Sequence, residues 1–88
     1  MDVFYTPRFK REFNKLPEAL QNEANEKIGL FKKEPENHGL LKVHKLKGRL
    51  AGRLSFSVNY RYRIVFLFVD RKRSTAILLA VGDHAVYE

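Results

Sequence analysis

The chain has 88 residues, no cysteine, and 17 Lys and Arg against 10 Asp and Glu, for a formal charge of +7. At 44% hydrophobic and 12% aromatic it is too apolar for a disordered basic tail, and without cysteine it has neither a disulfide scaffold nor a thiolate zinc site. Its longest apolar runs, Ile64 to Val69 and Ala76 to Val81, have six residues each, far short of a membrane span.

In chain order, Val3-Phe4-Tyr5 reads as a short strand. Thr6-Pro7 then reads as a helix start, with Thr6 as N-cap and Pro7 in the first turn, where its missing N–H costs nothing. Phe9, Phe13 and Leu16 recur at helical spacing, with Arg8, Lys10, Arg11 and Lys15 on the other faces. Leu16-Pro17 breaks that helix and begins a second, whose buried stripe is Leu20, Ala24, Ile28 and Phe31 and which stops at Glu34-Pro35. Pro35 to Gly39 reads as a loop.

From Val43 the pattern changes to period two. Leu54, Phe56 and Val58 alternate with Arg53, Ser55 and Ser57, as in a strand with one buried face. A turn near Asn59-Tyr60 leads into Arg61 to Val69, which begins by alternating and then becomes continuously apolar, as a strand in the middle of a sheet does. Asp70 to Arg73 is a polar turn, Thr75 to Val81 the next strand, and Gly82 its end. The expected fold class is α+β, in the order β-α-α-β-β-β, with a helix hairpin packed on one face of a largely antiparallel sheet. Residues 1–88 are expected to form a single domain. The other face of the sheet is expected to be free. The amino terminus reaches Arg8, Lys10 and Arg11 with no apolar h-region, so no signal peptide, no membrane association and a cytoplasmic location are expected.

The charge is unevenly placed. Residues 1 to 40 hold seven Lys and Arg against seven Asp and Glu, whereas residues 41 to 88 hold ten against three. Lys42, Lys45, Lys47, Arg49 and Arg53 fall within twelve residues containing no acid. A concentrated positive field on a small fold is the footprint of a polyanion partner. The plainer alternative is a solvated face that aids solubility.

Acid–base groups are few. The basic half has no closely spaced carboxylate pair for glycosidase-like chemistry, and there is no Gly-rich phosphate loop. Gly48 and Gly52 sit in a polar segment where they serve turns or bulges. His38, His44 and His84 lack the spacing of metal ligands, so neither a metal nor a small-molecule cofactor is expected. The remaining set has the residue types for metal-free RNA cleavage, in which the ribose 2′-OH attacks the adjacent phosphate. That step needs a base, a cation for the developing charge and an acid for the departing 5′ oxygen. Imidazoles suit proton transfer near pH 7, and a guanidinium presents a planar fork of donors to phosphate. His44, His84 and Arg63 could fill these roles. Each also has an ordinary reading: His44 as a surface residue, His84 as a terminal cap, Arg63 as an ion-pair partner of Asp70 or Asp83.

The stretch His44-Lys45-Leu46-Lys47-Gly48-Arg49-Leu50-Ala51-Gly52 resembles the L-K-G-x-L-x-G signature of the RelE/ParE superfamily of bacterial toxins. Fifteen residues after Gly48, Arg63-Ile64-Val65-Phe66 resembles the family's arginine-bearing strand, and Ala80-Val81-Gly82-Asp83-His84-Ala85-Val86-Tyr87 is similar to its V-G-x-H-x-x-[VL]-Y ending. The resemblance covers nearly the whole chain and implies the toxin of a type II toxin–antitoxin pair. In the RelE/YoeB/YafQ branch that toxin is a ribosome-dependent, metal-independent endoribonuclease cutting mRNA in the A site. It further implies His44 as general base, Arg63 at the scissile phosphate, His84 as general acid or phosphate contact, and Tyr87 as the aromatic that positions substrate. Lys45, Lys47, Arg49 and Arg53 would hold RNA backbone, a salt-sensitive contact. Ser57 departs from the pattern, standing where several nucleases of the branch carry a cation or histidine. Arg61, two residues before Arg63, is expected to compensate from the same side of the strand. The implied partners are the ribosome, mRNA and a cognate antitoxin with an acidic segment that folds on binding. A ParE-like gyrase poison, or an inactive relative that only binds RNA or antitoxin, are the alternatives.

Overall fold

A computed structural model describes residues 1–83. Strand β1 (Asp2–Tyr5) leads into helix α1 (Pro7–Asn14). Thr6 caps that helix, its hydroxyl accepting from the Phe9 N–H at 3.1 Å, with Pro7 in the first turn. Pro17 separates α1 from α2 (Glu18–Lys33), which ends at Glu34 ahead of Pro35. The two helices lie on one side of a five-stranded sheet of order β1-β5-β4-β3-β2. Its other strands are β2 (His44–Lys45), β3 (Leu54–Ser57), β4 (Arg63–Phe68) and β5 (Thr75–Gly82). All neighbours pair antiparallel except β1 and β5, which are parallel. β4, the strand whose sequence is apolar on both faces, is central, as its pattern predicts.

The main core lies between helices and sheet. Phe9, Ala24, Ile28 and Phe31 from the helices meet Phe56, Ile64, Phe66 and Leu78 from the strands. Phe31 is at its centre, with ring centroids 4.6 Å from Phe56 and 4.7 Å from Phe66. Such pairs add specific geometry to the area they bury.

Three departures from the sequence reading concern residues 38–41, β2 and the far side of the sheet. Residues His38–Leu41 form a short helix, α3, rather than a loop. Asn37 starts it, its side-chain oxygen accepting from the Leu40 N–H at 3.1 Å, and Leu41 is thereby driven into the core. A fifth strand, β2, is only two residues long, too short for periodicity to reveal. The third departure concerns the far side of the sheet, which is expected to be free. Ser55 and Ser57 point there, yet are 0% and 4% exposed. Val65 and Ala80 make a second small core with Leu46 and Leu79, so this face is partly roofed.

Two local devices shape that face. Between β4 and β5 the register slips at Val65/Phe66, and the bulge places both Leu79 and Ala80 on the small core while Leu78 and Val81 stay in the large one. Residues 46–53 curl back through a 3-10 turn, Gly48–Leu50, with Gly48 and Gly52 at φ of +66° and +91°. Those backbone conformations are costly for any residue with a Cβ, which confirms the turn role expected of both glycines.

β5 extends beyond the last residue of β1, leaving a length of unpaired edge. α1 supplies the missing partners from its side chains. The Thr6 hydroxyl donates to the Leu79 carbonyl at 3.1 Å, and a Glu12 carboxylate oxygen accepts from the Val81 N–H at 3.1 Å. The first turns of α1 thus act as a surrogate strand, and buried backbone groups are satisfied.

Candidate active site

The site is built on the face of the sheet away from the helices. Arg63 opens β4, paired in register with Ser57 on one side and Gly82 on the other. Directly paired residues project to the same face, so the guanidinium stem lies between two small neighbours that leave it room. Arg63 is half-buried, and its Nη1 is buried with no hydrogen-bond partner among the described residues. Buried polar atoms are nearly always paired, so an orphaned guanidinium nitrogen asks for an acceptor from outside. Asp70, one of the two carboxylates expected to compete for it, is committed at the opposite end of β4. It accepts from the Ser74 hydroxyl, from the Ser74 N–H at 3.0 Å and from the Thr75 N–H at 3.1 Å. These bonds, the Ser74 hydroxyl first, hold the Asp70 carboxyl below its ordinary value of 3.8.

The Ser57 hydroxyl donates to the Asn59 carbonyl at 2.5 Å and so belongs to the following turn. Arg61 does not lie on β4. It sits in that turn, its backbone N–H donating to the Asn59 side chain, with its guanidinium 5.9 Å from the Tyr62 ring centroid. The expectation that Arg61 shares a strand face with Arg63 therefore fails: Asn59 folds residues 59–62 into a side-chain-capped turn and delays the strand by two residues.

His44 opens β2, is exposed, and pairs with Ser55. Ser55 pairs with Val65, and Val65 with Ala80, so one cross-strand row on this face runs from His44 to Ala80. Arg63 is two residues back along β4. Sheet spacings put its Cα about 12 Å from that of His44, and the two side chains can converge on one group between them. Lys45 behaves differently. It pairs with Leu54, whose side chain packs on the helix-side core, so strand alternation sends Lys45 to the opposite face from His44. Lys47 and Arg49 are exposed on the curled loop, and Arg53 donates through Nη1 to the Arg49 carbonyl at 3.4 Å. The basic run, continuous in sequence, is split in space. His84 and Tyr87 lie outside the described residues.

Beside the His44 row is a cavity of about 270 Å³. Val65, Leu79 and Ala80 form its floor, Thr6 and Arg8 one wall, and Leu50 and Arg53 the other. Arg8 has no signal in the sequence beyond helical spacing from Glu12. Only the tertiary structure, by docking α1 against β5, brings it here. A hollow of about 320 Å³ between α1 and α2, lined by Tyr5, Phe9, Phe13 and Ile28, is larger, but it lies on the helix side, away from Arg63 and His44. No three His, Asp or Glu side chains gather as metal ligands would, and no helix is long and apolar enough to cross a membrane, among the described residues.

No known family model and no curated protein matches the sequence. Solved structures do match, over nearly the full length of both partners. YafQ from E. coli superposes with a TM-score of 0.78 at 15% identity, covering 96% of this chain and 93% of its own. The YoeB/ParE toxin from Agrobacterium tumefaciens gives 0.76 at 21%, covering 96% and 99%. The toxin–antitoxin complex RelBE2 from Mycobacterium tuberculosis gives 0.74 at 25%, covering 94% and 96%. The architecture is thus that of a small α+β toxin fold. It is the fold of the RelE/ParE superfamily, with YafQ, YoeB and RelE toxins among its neighbours.

Proposed function

We propose that the chain is the toxin of a toxin–antitoxin pair and a metal-independent endoribonuclease acting on mRNA. The observation that carries the reading is the orphaned Nη1 of Arg63, held beside the His44 row on a sheet face floored by small side chains. A fixed, partly desolvated guanidinium with a spare donor fits a phosphodiester passing to its trigonal-bipyramidal transition state, where its charge rises. His44, exposed on the same face, takes the proton from the 2′-OH as that oxygen attacks phosphorus. The bond from phosphorus to the 5′ oxygen breaks, leaving a 2′,3′-cyclic phosphate. His84 gives the 5′ oxygen its proton and Tyr87 positions the substrate, both roles carried by the resemblance. Lys47, Arg49 and Arg53 hold the RNA backbone. Lys45, on the other face, contributes to the long-range field rather than to the site.

The open, shallow surface orients a flexible strand poorly by itself, which supports action on mRNA held in the ribosomal A site in the cytoplasm. The RelBE2 neighbour was solved as a toxin–antitoxin complex, and the excess positive charge of residues 41 to 88 suits an inhibitory partner with an acidic segment. The test is induced expression in bacteria with primer extension on a reporter mRNA. The parent is expected to arrest growth with codon-phased cuts, and His44→Ala/His84→Ala to abolish both. Arrest without cuts, unchanged by these substitutions, would replace the nuclease by a ParE-like gyrase poison. Absence of arrest would leave an inactive relative that binds RNA or antitoxin, consistent with the diverted Ser57 hydroxyl.

A further inference from the structure

Resting on the RNA-cleaving reading, we infer that the cavity between α1 and the curled loop is a base-binding subsite. It takes the nucleotide flanking the scissile phosphate, and Arg8 and Arg53 are its cationic jaws. The accessible apolar lining is Leu50 and Leu79, above the buried Val65 and Ala80, and the cavity measures about 270 Å³, room for a single base. A planar, poorly hydrated base suits such a floor, as bases settle on apolar and aromatic surfaces in other single-strand binders. Arginines stand on opposite walls, and each is fixed by a hydrogen bond that leaves other N–H groups for a ligand. Arg8 Nε is held by a Glu12 carboxylate oxygen at 3.3 Å, the other oxygen of which is itself anchored on the Val81 N–H. Arg53 Nη1 is held on the Arg49 carbonyl. An apolar slot between two tethered guanidinium groups matches a nucleotide, whose base is flat and whose two flanking phosphates are anionic.

Position ties the cavity to the chemistry. Val65 and Ala80 lie in the same cross-strand row as His44, and Val65 is two residues, about 7 Å, along β4 from Arg63. A strand whose phosphate meets Arg63 therefore has its next nucleotide over the floor. The bulge that turns both Leu79 and Ala80 to this face makes the slot, so a sheet irregularity would be the element that sets sequence preference.

The experiment maps every cut made in cellular mRNA by the parent, by Leu50→Trp, which fills the slot from its rim, and by Arg8→Ala, an exposed substitution compatible with folding. Circular dichroism checks that each variant is folded. Both variants are expected to cut about tenfold less at the parent's preferred positions and to lose preference for the nucleotide beside the cut, with residual cuts still abolished by Arg63→Ala. A parent that cuts while both variants keep its rate and preference would overturn the subsite alone. A parent that makes no cuts would overturn the RNA reading and the subsite together.

Discussion

The two faces of the sheet use the same strands for opposite ends. Toward the helices, β3, β4 and β5 present Phe56, Ile64, Phe66 and Leu78, which close around Phe31. Away from them, the same strands present Ser55, Ser57, Arg63, Val65 and Ala80. Large aromatic groups fill one side, while short side chains keep the other low enough for a cavity and for an arginine whose Nη1 has no hydrogen-bond partner among the described residues. Hydrophobic burial stabilises in proportion to area, so the helix side carries most of the stability. Among the described residues, the far side keeps the small core of Val65 and Ala80 with Leu46 and Leu79 packed on it. The candidate site thus lies on the face where stability has least to lose.

Four measurements test the contrast between the faces. Phe31→Ala removes the hub of the aromatic cluster and should cost about 3–5 kcal/mol, a large share of the ~5–15 kcal/mol available to a typical domain. Urea unfolding that shows a loss below about 1 kcal/mol would mean the core is distributed differently. Arg63→Ala is the mirror case. Cleavage should fall by about 10²–10³-fold, while the thermal midpoint holds or rises, because a buried unsatisfied nitrogen leaves with the side chain. A lower midpoint together with retained toxicity would make Arg63 structural.

Smaller effects probe the links between the faces. Thr6→Ala removes both the α1 cap and the hydroxyl bond to Leu79, and is expected to cost about 1–2 kcal/mol in denaturant unfolding. Exchange at the Val81 amide should quicken with it, since α1 stands in for a strand there. The smallest effect concerns Asp70. Its carboxyl lies below 3.8, chiefly through the Ser74 hydroxyl, so the ionised form is favoured in the fold. That stabilisation is fully present above the ordinary value and is lost as pH falls through the lowered one. The thermal midpoint of the parent should therefore drop below about pH 4 more steeply than that of Asp70→Asn. Parallel curves would show that the turn at Asp70 contributes nothing measurable.

Much of the fold is legible in the sequence alone. Thr6-Pro7, Leu16-Pro17 and Glu34-Pro35 punctuate the helices through local backbone chemistry. Leu54 and Phe56 mark one strand face through alternation with Ser55 and Ser57. Short-range rules fail where a residue's role depends on what later folds over it. Ser55 and Ser57 read as solvent-facing because serine is polar, yet both are buried, Ser57 with its hydroxyl bonded to the Asn59 carbonyl. Arg61 reads as a strand neighbour of Arg63 until the Asn59 side chain captures the 61 and 62 amides and turns the chain.

The candidate site divides in the same way. The types of His44, Lys47, Arg49 and Arg63 stand in the sequence, since imidazole, ammonium and guanidinium groups are read residue by residue. Local periodicity, backbone restriction and charge set the layer architecture, the punctuation of α1 and α2 and the positive character of the second half. Which cations share a face depends on contacts between distant segments. Pairing in register sends Lys45 one way and His44 the other, the bulge turns Leu79 toward the cavity, and docking of α1 on β5 brings Arg8 across from Arg53. These are non-local contacts, fixed by the packing of the whole chain rather than by any segment of it.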